Sequence, residues 1–285
     1  MNIDLLLERI GVQVLPDSPL ERLQTLHGAI TKTVPFENLA VLEGKNISLE
    51  PNDVFAKVVE QGRGGYCYEL NTLFAELLEY LGYNVERLLG RVWANGAAAP
   101  PLTHMALRVF VEYQPYLCDV GFGGGTLREP LPWVTGVAAN QSSDSFRLDV
   151  IDNGETMLSR LSGAAWKSLY SLLPCPVRPQ DFIPANHYTS THPSSYFTQA
   201  PVAALTTDDG RITLRGRIFR RLGAGGETER ELTSFDELVQ VLAQEFGLGN
   251  LDVTSLNNRL SRLFIHREAG EIPVAEAIEV EAMGT

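Results

Sequence analysis

From Leu70 onward, apolar residues return at steps of three and four: Leu70, Leu73, Phe74, Leu77, Leu78 and Leu81. That spacing lays one apolar stripe along a helix, and Gly82 stands where such a helix would stop. Similar stripes predict helices over residues 3–10, closed by Gly11, and over residues 19–33. In the second of these Leu20, Leu23, Leu26, His27 and Ile30 share a face, so His27 reads as a packed core histidine. Pro35 then forces an extended segment over residues 36–39. Another helix is expected over residues 52–61, capped by Asn52 or Asp53. The first third of the chain is thus mostly helical.

After Gly82 the period changes. Strand-like runs cover residues 85–93, 104–113, 116–120, 146–151 and 155–161, with a small-residue loop over 94–103 and an Asp152-Asn153-Gly154 turn. They predict an antiparallel sheet of barrel type. Residues 166–196 are rich in Pro, Ser and Thr and read as an ordered connection with at most a short helix. Two strands, from Arg211 and over 217–220, precede a helix ending at Phe246 and a second helix over 255–264. The acidic N-terminal turn of the first of these helices, Ser234-Phe235-Asp236-Glu237, suits the helix dipole. An acidic tail follows Arg267.

At 285 residues and 44% hydrophobic, the chain has ample material for a sizeable core. Its net charge of -12 argues against nucleic acid or an anionic membrane as a general partner. No apolar run approaches the roughly 20 residues of a membrane span. The start, MNIDLLLERIG, has no basic region of a secretory signal. Cysteines at 67, 118 and 175 have no metal-ligand spacing and cannot all pair, which points to a reduced cytoplasm and no metal.

The stretch GRGGYCYELN, residues 62–71, is where chemistry is expected. Three glycines in four positions suit a tight turn in which the backbone comes close to something. Cys67 falls at the start of the helix that follows, where unpaired N–H groups and the dipole favour the thiolate, the nucleophilic form. A small buried apolar cysteine is the alternative. A nucleophilic cysteine needs a base and a group that orients the base. His104, opening a strand, and Asp119, between Cys118 and Val120, are the candidates. A hairpin centred between Val111 and Glu112 sets positions 104 and 119 opposite each other, whereas a turn at Gln114-Pro115 offsets them by several residues. Gly121-Phe122-Gly123-Gly124-Gly125 lacks the ending of a phosphate-binding loop and reads as a pliable wall for a ligand. Arg211, Arg215, Arg217, Arg220 and Arg221 form a basic patch that either meets phosphates or is a solvated face.

These motifs occur in one order along nearly the whole chain: Arg9-Ile10-Gly11, Pro35-Phe36-Glu37-Asn38-Leu39, Arg63-Gly64-Gly65-Tyr66-Cys67, Thr103-His104-Met105, Asp119-Val120-Gly121-Phe122-Gly123, and Ser190 through Thr198. In this the sequence resembles the arylamine N-acetyltransferase family in its compact bacterial form. The resemblance implies an α+β fold with a helical N-terminal domain (1–84), an antiparallel β-barrel domain (85–195) and an α/β lid (196–285). It implies a papain- or transglutaminase-like triad at Cys67, His104 and Asp119. It further implies an acyl and amine pocket lined by Phe36, Val92, Thr103, Phe122, Gly123 and Phe197, and an ion pair between Arg9 and Glu37. Acetyl-CoA is the implied co-substrate, with an aromatic amine or hydrazine as acceptor and no tightly bound cofactor. An amide synthase of secondary metabolism, or a cysteine hydrolase, would use the same triad.

Overall fold

The computed structural model describes residues 1–93, 100–142 and 144–265. The predicted acidic tail and most of the loop predicted over 94–103 lie outside these residues.

The helical part opens with α1 (Ile3–Arg9) and α2 (Pro19–Thr33), the latter within the predicted bounds. Ser18 caps α2 and Pro19 stands at its first position, where a missing N–H costs nothing. The extension imposed by Pro35 is shorter than expected. Only β1 (Phe36–Glu37) is extended, and α3 (Leu39–Leu42) follows; proline constrains its own φ and the residue before it, not those further on. Next comes α4 (Pro51–Phe55), continued by a π-turn over Ala56–Glu60. Its N-cap is Glu50, with Pro51 at the first turn, so neither Asn52 nor Asp53 caps it. Then α5 (Cys67–Tyr80) carries the predicted stripe, and Gly82 ends that region at φ +85°.

Eight antiparallel strands form a nearly closed barrel. They are β2 (Asn84–Val92), β3 (Leu102–Val111), β4 (Gln114–Cys118), β5 (Leu131–Pro132), β6 (Ala138–Gln141), β7 (Asp144–Val150), β8 (Thr156–Ser162) and β9 (Ala165–Leu172). The spatial order is β5-β4-β3-β2-β9-β8-β7-β6. β3 has two apolar faces. Met105, Leu107, Val109 and Val111 join the helical core with Leu70, Phe74 and Leu77 of α5. Ala106 instead joins Leu88, Leu117, Phe122, Leu158 and Tyr170 inside the barrel. This alternation seats α5, with Cys67 at its start, on the barrel wall.

The region read as a connection holds a strand, β9, and a helix, α6 (Phe182–Thr191). In β9 a bulge leaves Leu169 without a partner on β8, between Tyr170 and Ser168, which breaks the two-residue alternation that marks a strand. Beyond α6 lie β10 (Val202–Thr206), β11 (Arg211–Arg215), β12 (Ile218–Gly223) and β13 (Gly226–Glu231), then α7 (Phe235–Phe246) and α8 (Val253–Leu260). β1 pairs with β10, Phe36 facing Ala204, so this second sheet takes an edge strand from the N-terminal segment. Among the described residues no helix is long and apolar enough to cross a membrane.

Candidate active site

The Gly62–Gly65 turn is held by contacts that only glycine permits. A Cβ at Gly64 would stand 2.1 Å from the Pro35 carbonyl oxygen, and one at Gly65 would stand 2.9 Å from Glu69. Gly65 accepts the Glu37 N–H at 2.8 Å, which locks the turn to β1. Glu69 then reaches back to the Tyr66 N–H at 3.1 Å and pairs with Lys57 at 2.6 Å. Cys67 is thereby fixed as the first residue of α5, where backbone N–H groups have no acceptor within the helix.

His104 comes to Cys67 from β3 through a bulge. Gly90 faces His104 but Arg91 faces Leu102, which leaves Thr103 unpaired and its carbonyl 3.9 Å from the Cys67 sulfur. The neighbouring Cys67 favours the charged form of the imidazole. On its other side, His104 Nε2 is 2.8 Å from Asp119 Oδ2. The remaining oxygen, Oδ1, accepts from Asn71 Nδ2 at 3.0 Å and from the Gly121 N–H at 2.9 Å. All three side chains are buried.

The β3–β4 turn falls on Glu112-Tyr113, both at positive φ, with Val111 facing Gln114. Neither register considered from the sequence is the one adopted. The observed one displaces His104 from Asp119 by one strand-pair step on the same face, a diagonal distance that the two side chains span.

Burial disfavours the charged form of His104, but the Asp119 carboxylate, its hydrogen bond and the neighbouring Cys67 outweigh it and raise the imidazole to about 10. For Asp119, burial alone would raise the carboxyl; His104 and the donors from Asn71 and Gly121 win and hold it below the usual carboxylate range. The geometry is that of an imidazolium held between a sulfur and a carboxylate.

Aromatic rings surround this line. Phe122 packs edge-on to His104 at 5.2 Å. Phe36 and Phe197 meet at 6.0 Å, and Tyr66 packs on Phe197 at 5.8 Å. Gly123 stands at φ +83°, and a Cβ there would come 3.1 Å from the Phe36 ring, so only glycine fits comfortably at this point. Val92 faces Tyr170 at the end of β2 and Thr103 sits in the bulge. Five of the expected pocket residues therefore lie around the Cys67–His104–Phe122 cluster or on the adjoining Phe36–Phe197 wall, and Val92 joins it through Tyr170.

Tyr170 was not visible from sequence. Its ring lies 4.6 Å from that of His104, and its hydroxyl faces Asp119 without completing a hydrogen bond. It sits on β9, in the segment read as a connection. Asn71 of α5 also braces the site: its Nδ2 donates to Asp119 Oδ1 and to the Met105 carbonyl at 2.7 Å, and its Oδ1 accepts from the Val120 N–H at 3.1 Å.

The expected Arg9–Glu37 pair is not formed. Arg9 donates to the carbonyls of Val58 at 3.2 Å and Thr33 at 3.0 Å. Glu37 faces Arg63 at 3.6 Å, because the glycine turn brings that guanidinium against β1. The arginine patch of the second sheet is largely neutralised: Arg211 pairs with Asp144, Arg217 with Glu231, Arg220 with Glu229 and Arg221 with Glu245. Arg215 stacks on Tyr196 at 4.3 Å. Among the described residues no group of His, Cys, Asp and Glu is arranged to hold a metal ion.

A helix-borne cysteine facing a histidine and an aspartate on a barrel is the architecture of the papain- and transglutaminase-like cysteine acyltransferases and hydrolases. The family model for N-acetyltransferase matches residues 19–255. The arylamine N-acetyltransferase of Mycolicibacterium smegmatis is 35% identical over 271 residues, covering 92% of this chain and 98% of that protein. The solved arylamine N-acetyltransferase of Mycobacterium marinum superposes with a TM-score of 0.88 at 33% identity, covering 92% and 99% of the two chains. The M. marinum enzyme in complex with CoA superposes at 0.86 and 32% identity, with the same coverage. The chain belongs to the arylamine N-acetyltransferase family.

Proposed function

We propose that this chain moves an acetyl group from acetyl-CoA to the nitrogen of an arylamine, arylhydrazine or N-hydroxyarylamine, in two steps through an acetyl-cysteine. The observation that carries the reading is the buried Cys67–His104–Asp119 line at the start of α5. Cys67 is assigned as nucleophile, His104 as acid and base, and Asp119 as the group that orients and charges the imidazole.

In the first half-reaction the Cys67 thiolate attacks the thioester carbonyl. The tetrahedral oxyanion develops beside the unpaired N–H groups of the first turn of α5, which stabilise it. The C–S bond to CoA breaks, and CoA leaves as a thiol with the proton of the His104 imidazolium. In the second, the amine attacks the acetyl-cysteine and gives a proton to the now neutral His104. Cys67 leaves as thiolate, so the ion pair is regenerated. Phe36, Phe122 and Phe197, with Val92, Thr103 and Gly123, form the walls that favour a flat apolar acceptor and exclude water.

Division into a helical part (1–84), a barrel (85–195) and a lid (196–285) belongs to the same reading. It is supported by the two separate sheets, with β1 as the strand that laces the first part to the third. The charge of -12 and the three unpaired cysteines support a cytoplasmic protein with no nucleic-acid partner.

The test is intact-protein mass after mixing with acetyl-CoA, before and after addition of an arylhydrazine. One acetyl group on Cys67, lost as acetylated product forms, is expected. Folded protein that takes up no acetyl group, or passes it only to water, would overturn the transferase reading.

A further inference from the structure

The sheet pairing of β4 ends at Cys118, opposite Leu107. Over residues 119–130, between β4 and β5, the backbone belongs to no strand, yet Asp119 is fully buried. A buried N–H without an acceptor is costly, so something must take the Asp119 amide. The acceptor is a side chain 92 residues earlier: Asp119 N–H donates to His27 Nε2 at 3.2 Å. His27 is itself fully buried on α2, and its ring packs edge-on to Phe74 of α5 at 5.7 Å. One imidazole thus ties α2, the nucleophile helix and the segment after β4 together.

We propose that His27 is a positioning residue for the triad, holding the Asp119 backbone so that the carboxylate meets His104 at the right height and angle. The proposal rests on the triad reading given above. Two histidines flank one aspartate in opposite states. Burial takes His27 down to about 4 despite the nearby Asp119 charge, so the ring is neutral and can accept a hydrogen bond. It presents that acceptor to the main chain, which leaves both carboxylate oxygens to His104, Asn71 and Gly121. The other ring nitrogen, Nδ1, makes no complete hydrogen bond, although the Arg128 backbone faces the ring. A residue that only filled space would not need an acceptor at this point.

The experiment has a part that requires no variant. Nitrogen NMR of the 15N-histidine-labelled protein should show His27 as the neutral Nδ1–H tautomer between about pH 6 and 9. An Nε2–H tautomer or an imidazolium would overturn the proposal, since neither can accept from Asp119. In parallel, His27→Gln keeps an acceptor at the position of Nε2, and His27→Leu removes it. For the His27→Leu variant, shown to be folded by circular dichroism, single-turnover acetylation by acetyl-CoA should fall at least tenfold. The downfield proton resonance of the His104–Asp119 hydrogen bond should shift. His27→Gln should restore both. Equal rates and an unmoved resonance in His27→Leu would make His27 a packing residue only. Asp119→Asn, measured alongside, separates the two failures: if it too leaves acetylation unchanged, the triad reading has failed rather than the role of His27.

Discussion

Asp119 shows how much one carboxylate is asked to do. Its Oδ1 already accepts from the Asn71 amide and the Gly121 N–H, so in Asp119→Asn the carbonyl oxygen must stay on that side. The new NH2 then faces His104 and forces the imidazole into the tautomer that cannot take a proton from Cys67. Transfer should fall on the order of 10³–10⁴-fold, as when the aspartate of another triad is replaced. Steady-state kinetics with acetyl-CoA and an arylhydrazine checks this, and near-normal turnover would reduce Asp119 to a structural residue. Cys67→Ala should abolish acetyl uptake in the mass experiment without unfolding the chain, because Cys67 contributes only a small side chain to the core.

The helix and the chain leaving the barrel meet almost backbone to backbone. A Cβ on Gly121 would stand 2.8 Å from Cys67 Cα and 2.9 Å from Asn71 Nδ2. Gly121→Ala must therefore push α5 away from the segment after β4. Loss of about 1–3 kcal/mol in urea unfolding is expected, the usual cost of overpacking, together with a larger loss of activity than of stability. Activity unchanged in such a variant would mean that the spacing between α5 and residue 121 is not critical. Further along α5 the requirement is only for volume. Leu77 is completely buried and remote from the triad by nearly three turns, so Leu77→Ala should cost about 2–5 kcal/mol while the folded enzyme keeps its kcat.

Across the whole molecule the two buried histidines shape the pH dependence of stability in opposite directions. His27 has its pKa lowered from 6.5 to about 4, so the unfolded chain binds the proton first. Its contribution is complete above 6.5 and is lost as pH falls through 4, with the depressed Asp119 adding to the loss at still lower pH. His104 is raised from 6.5 to about 10, so its contribution is complete below 6.5 and is lost as pH rises through 10. Together they place a stability maximum near pH 6.5, to be read from urea midpoints between pH 4 and 10. The slope on the acid side should shrink in His27→Gln, and a slope equal to that of the wild type would show that His27 is not protonated on unfolding.

What the sequence determined by itself was local. The stripe from Leu70 to Leu81, the N-cap and proline of α2, and the glycines before Cys67 follow from helix period, capping and backbone freedom, which neighbouring residues decide. Cys67, His104 and Asp119 stand out in the sequence as candidates for the same reason: each carries chemistry that its immediate neighbours mark. Tertiary structure decided the rest. The hairpin register depended on which turn the barrel accepted, and residues 112 and 113 took positive φ to meet it. β9 was concealed by a bulge, and β13 is a strand only because β12 pairs with it; its residues are exposed and mostly charged, as an edge strand requires. Arg63 rather than Arg9 faces Glu37 because the glycine turn folds back onto β1. Tyr170 and His27 reach Asp119 from strands and helices distant in the chain, so no spacing along the sequence announces them. Backbone preferences act over a few residues, whereas burial, charge pairing and the need to satisfy an amide such as that of Asp119 act only once the chain has packed.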